Sequence, residues 1–529
     1  MSAHLAILPI LLPLAAGALM LLAGGRRRRI EAGLALGGCV LLLVAAVALL
    51  VSVDRAEGSL AITYRLGDWP SAVAIVLVAD RLAALMVLLS SILGLLTTAF
   101  AIDRWARLGP YYGALTQFLL MGLNGAFLTG DLFNLFVFFE ILLAASYGLM
   151  LHGSGERRVT ASLHYIVLNL AASLLFLVGV STIFGVTGTL NMALLAERIP
   201  HVPEGPRGLL HAGAAVLGVA FLVKAAAWPL GFWLPRAYDA AVPVAAAMFA
   251  IMTKVGIYAV LRLGLLVFGD DAAASAGFGR GWILAVGVAT LVVGVIGMLA
   301  VRDLGRLTGY SLMISVGALL GVVVFAEPQA LAGSLFYMVV STLGAAALFL
   351  LSGVIGPEGA DEFEEPPLLE ALDPGDAGQF TEEDESAVLI SAPVGILSAG
   401  FLICTLLVAG VPPLPGFLAK VAMLAPLLQA PPGPVPGAAM AVAALIIGSS
   451  LFSLIALARA GIQIWWAEPN RIPPTIRLGE ALPLGLLLIA LLLLTVVVEA
   501  PFRYMQRTAA QLLEPNQYIE AVLGEGGAS

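Results

Sequence analysis

The feature that most restricts this chain is a succession of apolar runs, each long enough for a helix to cross the roughly 30 Å hydrocarbon layer of a membrane. They fall near 4-23, 32-53, 82-102, 112-130, 132-151, 160-186, 208-228, 242-266, 281-301, 307-326, 329-356, 388-428, 436-466 and 481-502, which makes fourteen spans. In lipid the backbone must satisfy its own polar groups, so such runs read as helices. With 60% hydrophobic and only 11% charged residues, against about 25% charged in an ordinary soluble domain, no soluble fold would bury this surface. The expected fold class is an all-α polytopic membrane protein built as one integral-membrane domain.

The first run, Leu5 to Leu22, precedes Arg26 to Arg29, the reverse of a signal peptide, where basic residues come first. Cytoplasmic loops collect Lys and Arg, so this cluster places the N-terminus outside. The same assignment puts Arg104, Arg107, Arg157, Arg158, Arg236, Arg302, Arg306, Arg459, Arg471 and Arg477 on the cytoplasmic side and leaves nine of the 23 arginines outside. Both termini are then expected on the outer side. Cys39 and Cys404 lie in separate apolar runs, which excludes a disulfide framework or a CxxC metal site. The net charge of -8 comes largely from one segment, Pro357 to Ser386, which has no basic residue. That segment reads as a solvated cytoplasmic connector or as a docking segment for a partner subunit. No nucleic-acid partner is expected.

Two helices are expected to be broken. In "LVKAAAWPLGFWLPRA", Pro229, Gly231 and Pro235 follow an apolar helix; in "VAGVPPLPGFLAKVAML", Pro412, Pro413, Pro415 and Gly416 interrupt one. A proline removes a backbone donor and clashes with the carbonyl four residues earlier. Non-helical backbone at membrane depth is tolerated only where it faces protein or a wet cavity. Both breaks carry a short shared pattern, Pro229 to Phe232 and Pro413 to Phe417. Paired interruptions point to a transporter built from inverted repeats; independent proline kinks are the blander reading. The stretches 54-80 and 187-207 read as extracellular loops, the second with an amphipathic segment around Leu190 to Ile199.

Of 26 basic residues only three are lysines, Lys224, Lys254 and Lys420, and all three lie within expected spans. Arginine stays charged, whereas a buried lysine can release and take up a proton near neutral pH. A charge at mid-bilayer costs about 2.5 to 3.5 kcal/mol even on a lenient scale, so three such lysines imply function rather than structure. Snorkelling from helix ends is the structural alternative, and it suits Lys254 worst. The balancing acid is Glu140, nine residues after Asp131, or roughly 13 Å along a helix and so near mid-membrane. Asp131 itself suits an N-cap. Lys224, one turn before Pro229, is the natural partner of Glu140, with Lys254 next to receive the proton and Lys420 to pass it on.

His164, one turn inside the cytoplasmic face, reads as an inward proton lead or as a satisfied interfacial histidine. The other four histidines look superficial, and the five show no metal-ligand spacing. "GFGRG" at 277-281 lacks the strand-turn-helix context of a phosphate loop. No Ser-His-Asp or zinc-ligand arrangement is visible, so no hydrolytic site and no cofactor or metal are expected.

The segments "GDLFNLFVFFEILLAASYGL", "LVKAAAWPLGFWLPRAYDAAVPVAAAMFAIMTKVGIYAVLR" and "AGVPPLPGFLAKVAML" resemble the antiporter-like subunit family shared by respiratory complex I and the multisubunit Mrp (Pha, Mnh) cation/proton antiporters, over roughly 80 to 465. The "FNLFVFFEI" form favours the Mrp branch, and within it the D-type subunits. The resemblance implies fourteen helices, with inverted five-helix repeats at helices 4 to 8 (111-266) and 9 to 13 (281-466), flanked by 1-110 and 467-529. It also implies a Glu140–Lys224 coupling pair and a hydrated axis continued by Lys254 and Lys420. Partner subunits, membrane lipid, protons and a monovalent cation complete the expected assembly, in a bacterial inner membrane. One departure matters: many relatives carry His or Lys in helix 11, where Val340 stands here. Protons would then cross on water held by Tyr337, Ser341, Thr342, Ser311 or Ser315, or the second half conducts poorly. Two other readings stay open: a proton-pumping subunit of complex I or a membrane-bound hydrogenase, and a non-transporting scaffold.

Overall fold

A computed structural model describes residues 2–24, 28–55, 61–69, 74–356, 392–429, 437–466 and 476–524. The expected acidic connector 357-386 and Arg471 lie outside the described residues. Among the described residues, eleven helices are long and apolar enough to cross a membrane, and shorter apolar helices at Leu8–Ala23, Pro393–Ala409 and Pro415–Gln429 accompany them. Where described, each of the expected runs falls on helix.

Local chemistry sets several boundaries. Asp80 accepts from the Ala83 amide at 2.8 Å, and Asp131 accepts from the Asn134 amide at 2.9 Å. Each thereby satisfies an orphan donor at a helix start. The Asp131 cap makes the turn between Tyr112–Leu128 and Leu132–Met150 as tight as the sequence implies. The amphipathic stretch expected around Leu190 to Ile199 forms Met192–Arg198, capped by Asn191.

The structure adds three details. The run expected over 242-266 is one span, Pro243–Leu266, whose segments Pro243–Phe249 and Met252–Leu266 meet at Ala250 and Ile251 with the backbone still in the helical region. The loop 54-80 contains a hairpin, Ile62–Arg65 antiparallel to Val76–Ala79, the only sheet among the described residues. The tail is not a plain extension of the last span, because that helix ends at Val496 and two more, Glu499–Leu512 and Pro515–Leu523, follow.

These last helices fold back on the body. Tyr504 donates to the Arg81 carbonyl at 2.9 Å, Phe502 packs edge-on against Phe336, and Arg65 donates to the Val522 carbonyl at 3.4 Å. Burial is uneven along the chain: the Pro243–Leu266 span is entirely buried, while Arg28–Arg55, Glu156–Thr187 and Ala438–Trp465 bury about two-fifths of their apolar windows. Lys254 lies on the enclosed span, whereas Lys224 ends the Glu204–Lys224 helix, which buries about a third of its apolar window, and the outer helices present apolar faces.

Candidate proton pathway

Lys224 is the last residue of the Glu204–Lys224 helix. The chain then leaves helical geometry through Ala226, at a left-handed φ of 56°, which an L-residue adopts at a cost of about 1 kcal/mol or more. Gly231 of the shared motif lies against this corner, where a Cβ would stand 1.9 Å from the Ala226 carbonyl oxygen. At the second break Gly416 is equally constrained, with a Cβ position 2.0 Å from the Leu407 carbonyl oxygen. The recurring glycine is thus explained by close approach of backbone to backbone. The Trp228–Pro229 and Pro412–Pro413 peptides are both cis.

The break leaves Lys224 6% exposed. Its Nζ donates to Ser173 Oγ at 3.3 Å, and Ser173 donates in turn to Glu140 Oε1. The Phe139 ring centroid lies 5.1 Å from Nζ. Glu140 and Lys224, expected as a direct pair, are therefore brought to one hydroxyl between them. Glu140 is half-buried rather than enclosed. Ser173 is not among the residues expected on the path, although Ser162, Asn169 and Ser173 lie on one buried face of Glu156–Thr187, a stripe that helical spacing makes legible.

Lys254 is wholly buried and donates to Ser315 Oγ at 2.5 Å; Ser315 donates to the Leu312 carbonyl at 2.7 Å. Lys420 donates to the Val408 and Ala409 carbonyls at 3.0 and 3.2 Å and to Ser450 Oγ at 2.8 Å. Of the residues expected to hold water between them, Ser311 donates to Thr308, and Ser341 and Thr342 both donate to Met338. Tyr337 and Val340 are buried on the same helix. Among the described residues no side-chain hydrogen bond links Lys254 to Lys420. His164 is exposed, its Nδ1 2.9 Å from the Thr160 carbonyl, in a cavity shared with Arg157, Arg236, Asp239 and Arg306. Burial raises the Asp239 carboxyl, while Arg157 and Arg306 pull it back down.

A buried charge pair lies outside the expected path and involves Arg262 of the 242-266 run. Arg262, 5% exposed, meets Asp80, 1% exposed, through Nη2 to Oδ1 at 2.8 Å and a second, shorter contact. It also donates to Tyr258 Oη at 3.1 Å, and Tyr258 donates to the Phe127 carbonyl at 2.6 Å. Such a pair persists in an apolar interior only when its remaining donors are satisfied. The signal available is spacing, since Lys254, Tyr258 and Arg262 recur every four residues on one helix face. Among the described residues no group of three or more His, Cys, Asp or Glu is arranged to hold a metal ion.

Residues 129–447 match the family described as NADH:quinone oxidoreductase/Mrp antiporter, TM. The D subunit of a probable K(+)/H(+) antiporter of Rhizobium meliloti is 46% identical over 98% of this chain and 97% of its own. The D subunit of a Na(+)/H(+) antiporter of Alkalihalophilus pseudofirmus is 34% identical over 99% of this chain and 100% of its own. Among solved structures, a chain of the Mrp complex from Dietzia has a TM-score of 0.82 at 28% identity, covering 99% of both chains. A chain of respiratory complex I from Thermus thermophilus, with a TM-score of 0.73 at 23% identity over 97% of this chain and 100% of its own, shares the fold. Matched over more than half its length by the family and along nearly all of it by these relatives, the chain belongs to the NADH:quinone oxidoreductase/Mrp antiporter family.

Proposed function

We propose that this chain is the proton-translocating subunit of a multisubunit Na+(K+)/H+ antiporter, working in a bacterial inner membrane with both termini outside. It acts as a transporter subunit rather than an enzyme, beside partner subunits, and exchanges a monovalent cation for protons. Its relatives' names support the exchange, and their assemblies support the partners. Residues 111-266 and 281-466 act as two related halves around the breaks.

The observation that carries the reading is the Glu140–Ser173–Lys224 chain at the first break. The Glu140 carboxylate favours the charged form of Lys224, and a positive charge arriving nearby favours loss of its proton. Ser173 can take a proton from one neighbour as it gives one to the other, so the two groups exchange hydrogen without touching. Lys254 and then Lys420 continue the route, with water completing the gaps near Ser315, Ser311, Tyr337, Ser341 and Thr342. His164 serves as an inward lead.

Glu140→Gln keeps the shape and removes the charge. In everted vesicles carrying the whole complex, cation-dependent proton exchange is expected to fall by about a hundredfold, the usual worth of a proton-transfer group. Normal exchange by a normally assembled Glu140→Gln complex would leave only a scaffold role.

A further inference from the structure

Three elements meet around a cavity of about 760 Å³ at the end of the molecule where arginines collect: the first turns of Glu156–Thr187, the Trp233–Ala240 helix beyond the first break, and the start of Leu304–Val323. Arg157, Arg236, Arg306, His164 and Trp233 all line it. Two of the arginines share one carboxylate: Arg306 Nε lies 3.3 Å from Asp239 Oδ2, which Arg157 also contacts. Arg306 is further paired with Asp303 at 3.7 Å.

Two donors are left over. Arg236 is exposed and forms no ion pair with the described residues. Trp233 is only 4% exposed, yet its indole Nε1 is buried with no hydrogen-bond partner. A desolvated donor left unsatisfied is unfavourable, and an unpaired guanidinium in the same cavity selects the acceptor's charge. An anion with several oxygens answers both.

The surroundings select its source. Phe232, which lines the cavity, and Trp228 just before it are exposed. Leu163, Val167, Leu170, Leu174 and Val178 form an exposed apolar line along the Glu156–Thr187 helix. Their three- and four-residue spacing keeps them on one face. An anion that arrives with hydrocarbon attached satisfies the cavity and the line together.

We infer that this cavity binds the phosphate headgroup of an anionic phospholipid, with Arg236 and the Trp233 indole as donors and an acyl chain along the 163-178 face. The occupant bears on the transport path: the Trp233 ring meets Tyr165 at a tilt, with centroids 5.1 Å apart, on the helix that carries Ser173, and Trp233–Ala240 continues the break that begins at Lys224. A bound headgroup steadies the segment that presents Lys224.

The test uses the assembled complex in nanodiscs of phosphatidylcholine with and without phosphatidylglycerol, with retained lipids counted by native mass spectrometry. The complex is expected to keep a phosphatidylglycerol that phosphatidylcholine does not replace. Arg236→Gln should weaken its retention about tenfold, the worth of one charge-assisted hydrogen bond. Trp233→Phe, which keeps an aromatic ring and removes the N–H, should weaken it less, and it carries the test should Arg236→Gln fail to assemble. Equal retention by wild type and both variants would overturn the site. Displacement by millimolar inorganic phosphate would overturn the lipid as its source, and a cross-link from Arg236 to a neighbouring subunit's carboxylate would assign the cavity to a protein contact.

Discussion

The two helix breaks share a motif and a buried lysine, yet they neutralise that lysine in different ways. At the first, Lys224 precedes the break and reaches a carboxylate through Ser173. At the second, Lys420 follows the break, inside Pro415–Gln429, and caps the Val408 and Ala409 carbonyls at the end of the preceding helix. A helix C-terminus carries about half a negative charge, so Lys420 is held by fixed backbone dipoles and Ser450, with no acidic side chain paired to it among the described residues. The first arrangement can answer an approaching charge by re-pairing. On the proposed reading, the second gives a proton a resting place that depends little on the charge state of other side chains.

The largest consequence of that contrast falls on the lysines themselves. Lys224→Ala should lower cation-dependent proton exchange in vesicles about a hundredfold, since it leaves Glu140 with nothing to answer. Lys420→Ala should cost closer to tenfold, below the range of about a hundredfold or more typical of a proton-transfer group, because it removes a carrier but strands no carboxylate. Equal losses would end the distinction between a switching and a resting lysine.

Gly231→Ala and Gly416→Ala probe what the breaks have in common. Each places a methyl about 2 Å from a carbonyl oxygen, so each backbone must shift, at a cost of about 1 to 3 kcal/mol. Thermal unfolding of the purified complex should register similar drops for both variants. A marked inequality would mean that the shared motif hides different backbone constraints.

The smallest effects belong to the serines. Ser173→Ala breaks the hydrogen-bonded link between Lys224 and Glu140 and should slow exchange about fivefold, near the net worth of one hydrogen bond. Ser450→Ala leaves Lys420 its two carbonyls and should change the rate by less than about twofold. Slowing of the same size from both would show that Ser173 is a packing residue and that proton exchange between Glu140 and Lys224 runs through water.

Much of this is legible in the sequence for definable reasons. The helices declare themselves through length and hydropathy, because lipid admits few alternatives. The breaks declare themselves through proline chemistry, and Asp131 through its cap. The turn at Ala250 and Ile251 within Pro243–Leu266 is not legible, since "MFAIMTK" contains no helix breaker. The C-terminal helices are hidden for a related reason: Glu499–Leu512 is too polar to read as a span, and its partner Arg81 lies 423 residues away. Arg262 stands out less in the sequence than the lysines do, and its buried charge is tolerable only because Asp80 stands opposite it.

Taken alone, the order of residues determined that the chain spans a membrane, where its helices break and that all three lysines fall within apolar runs, since each follows from local hydropathy and backbone donors. Tertiary structure alone decided which groups meet. Ser173 stands between Glu140 and Lys224, backbone carbonyls receive Lys420, and an arginine lies buried against Asp80, because hydrogen bonds and ion pairs depend on ångström separations that sequence distance does not specify.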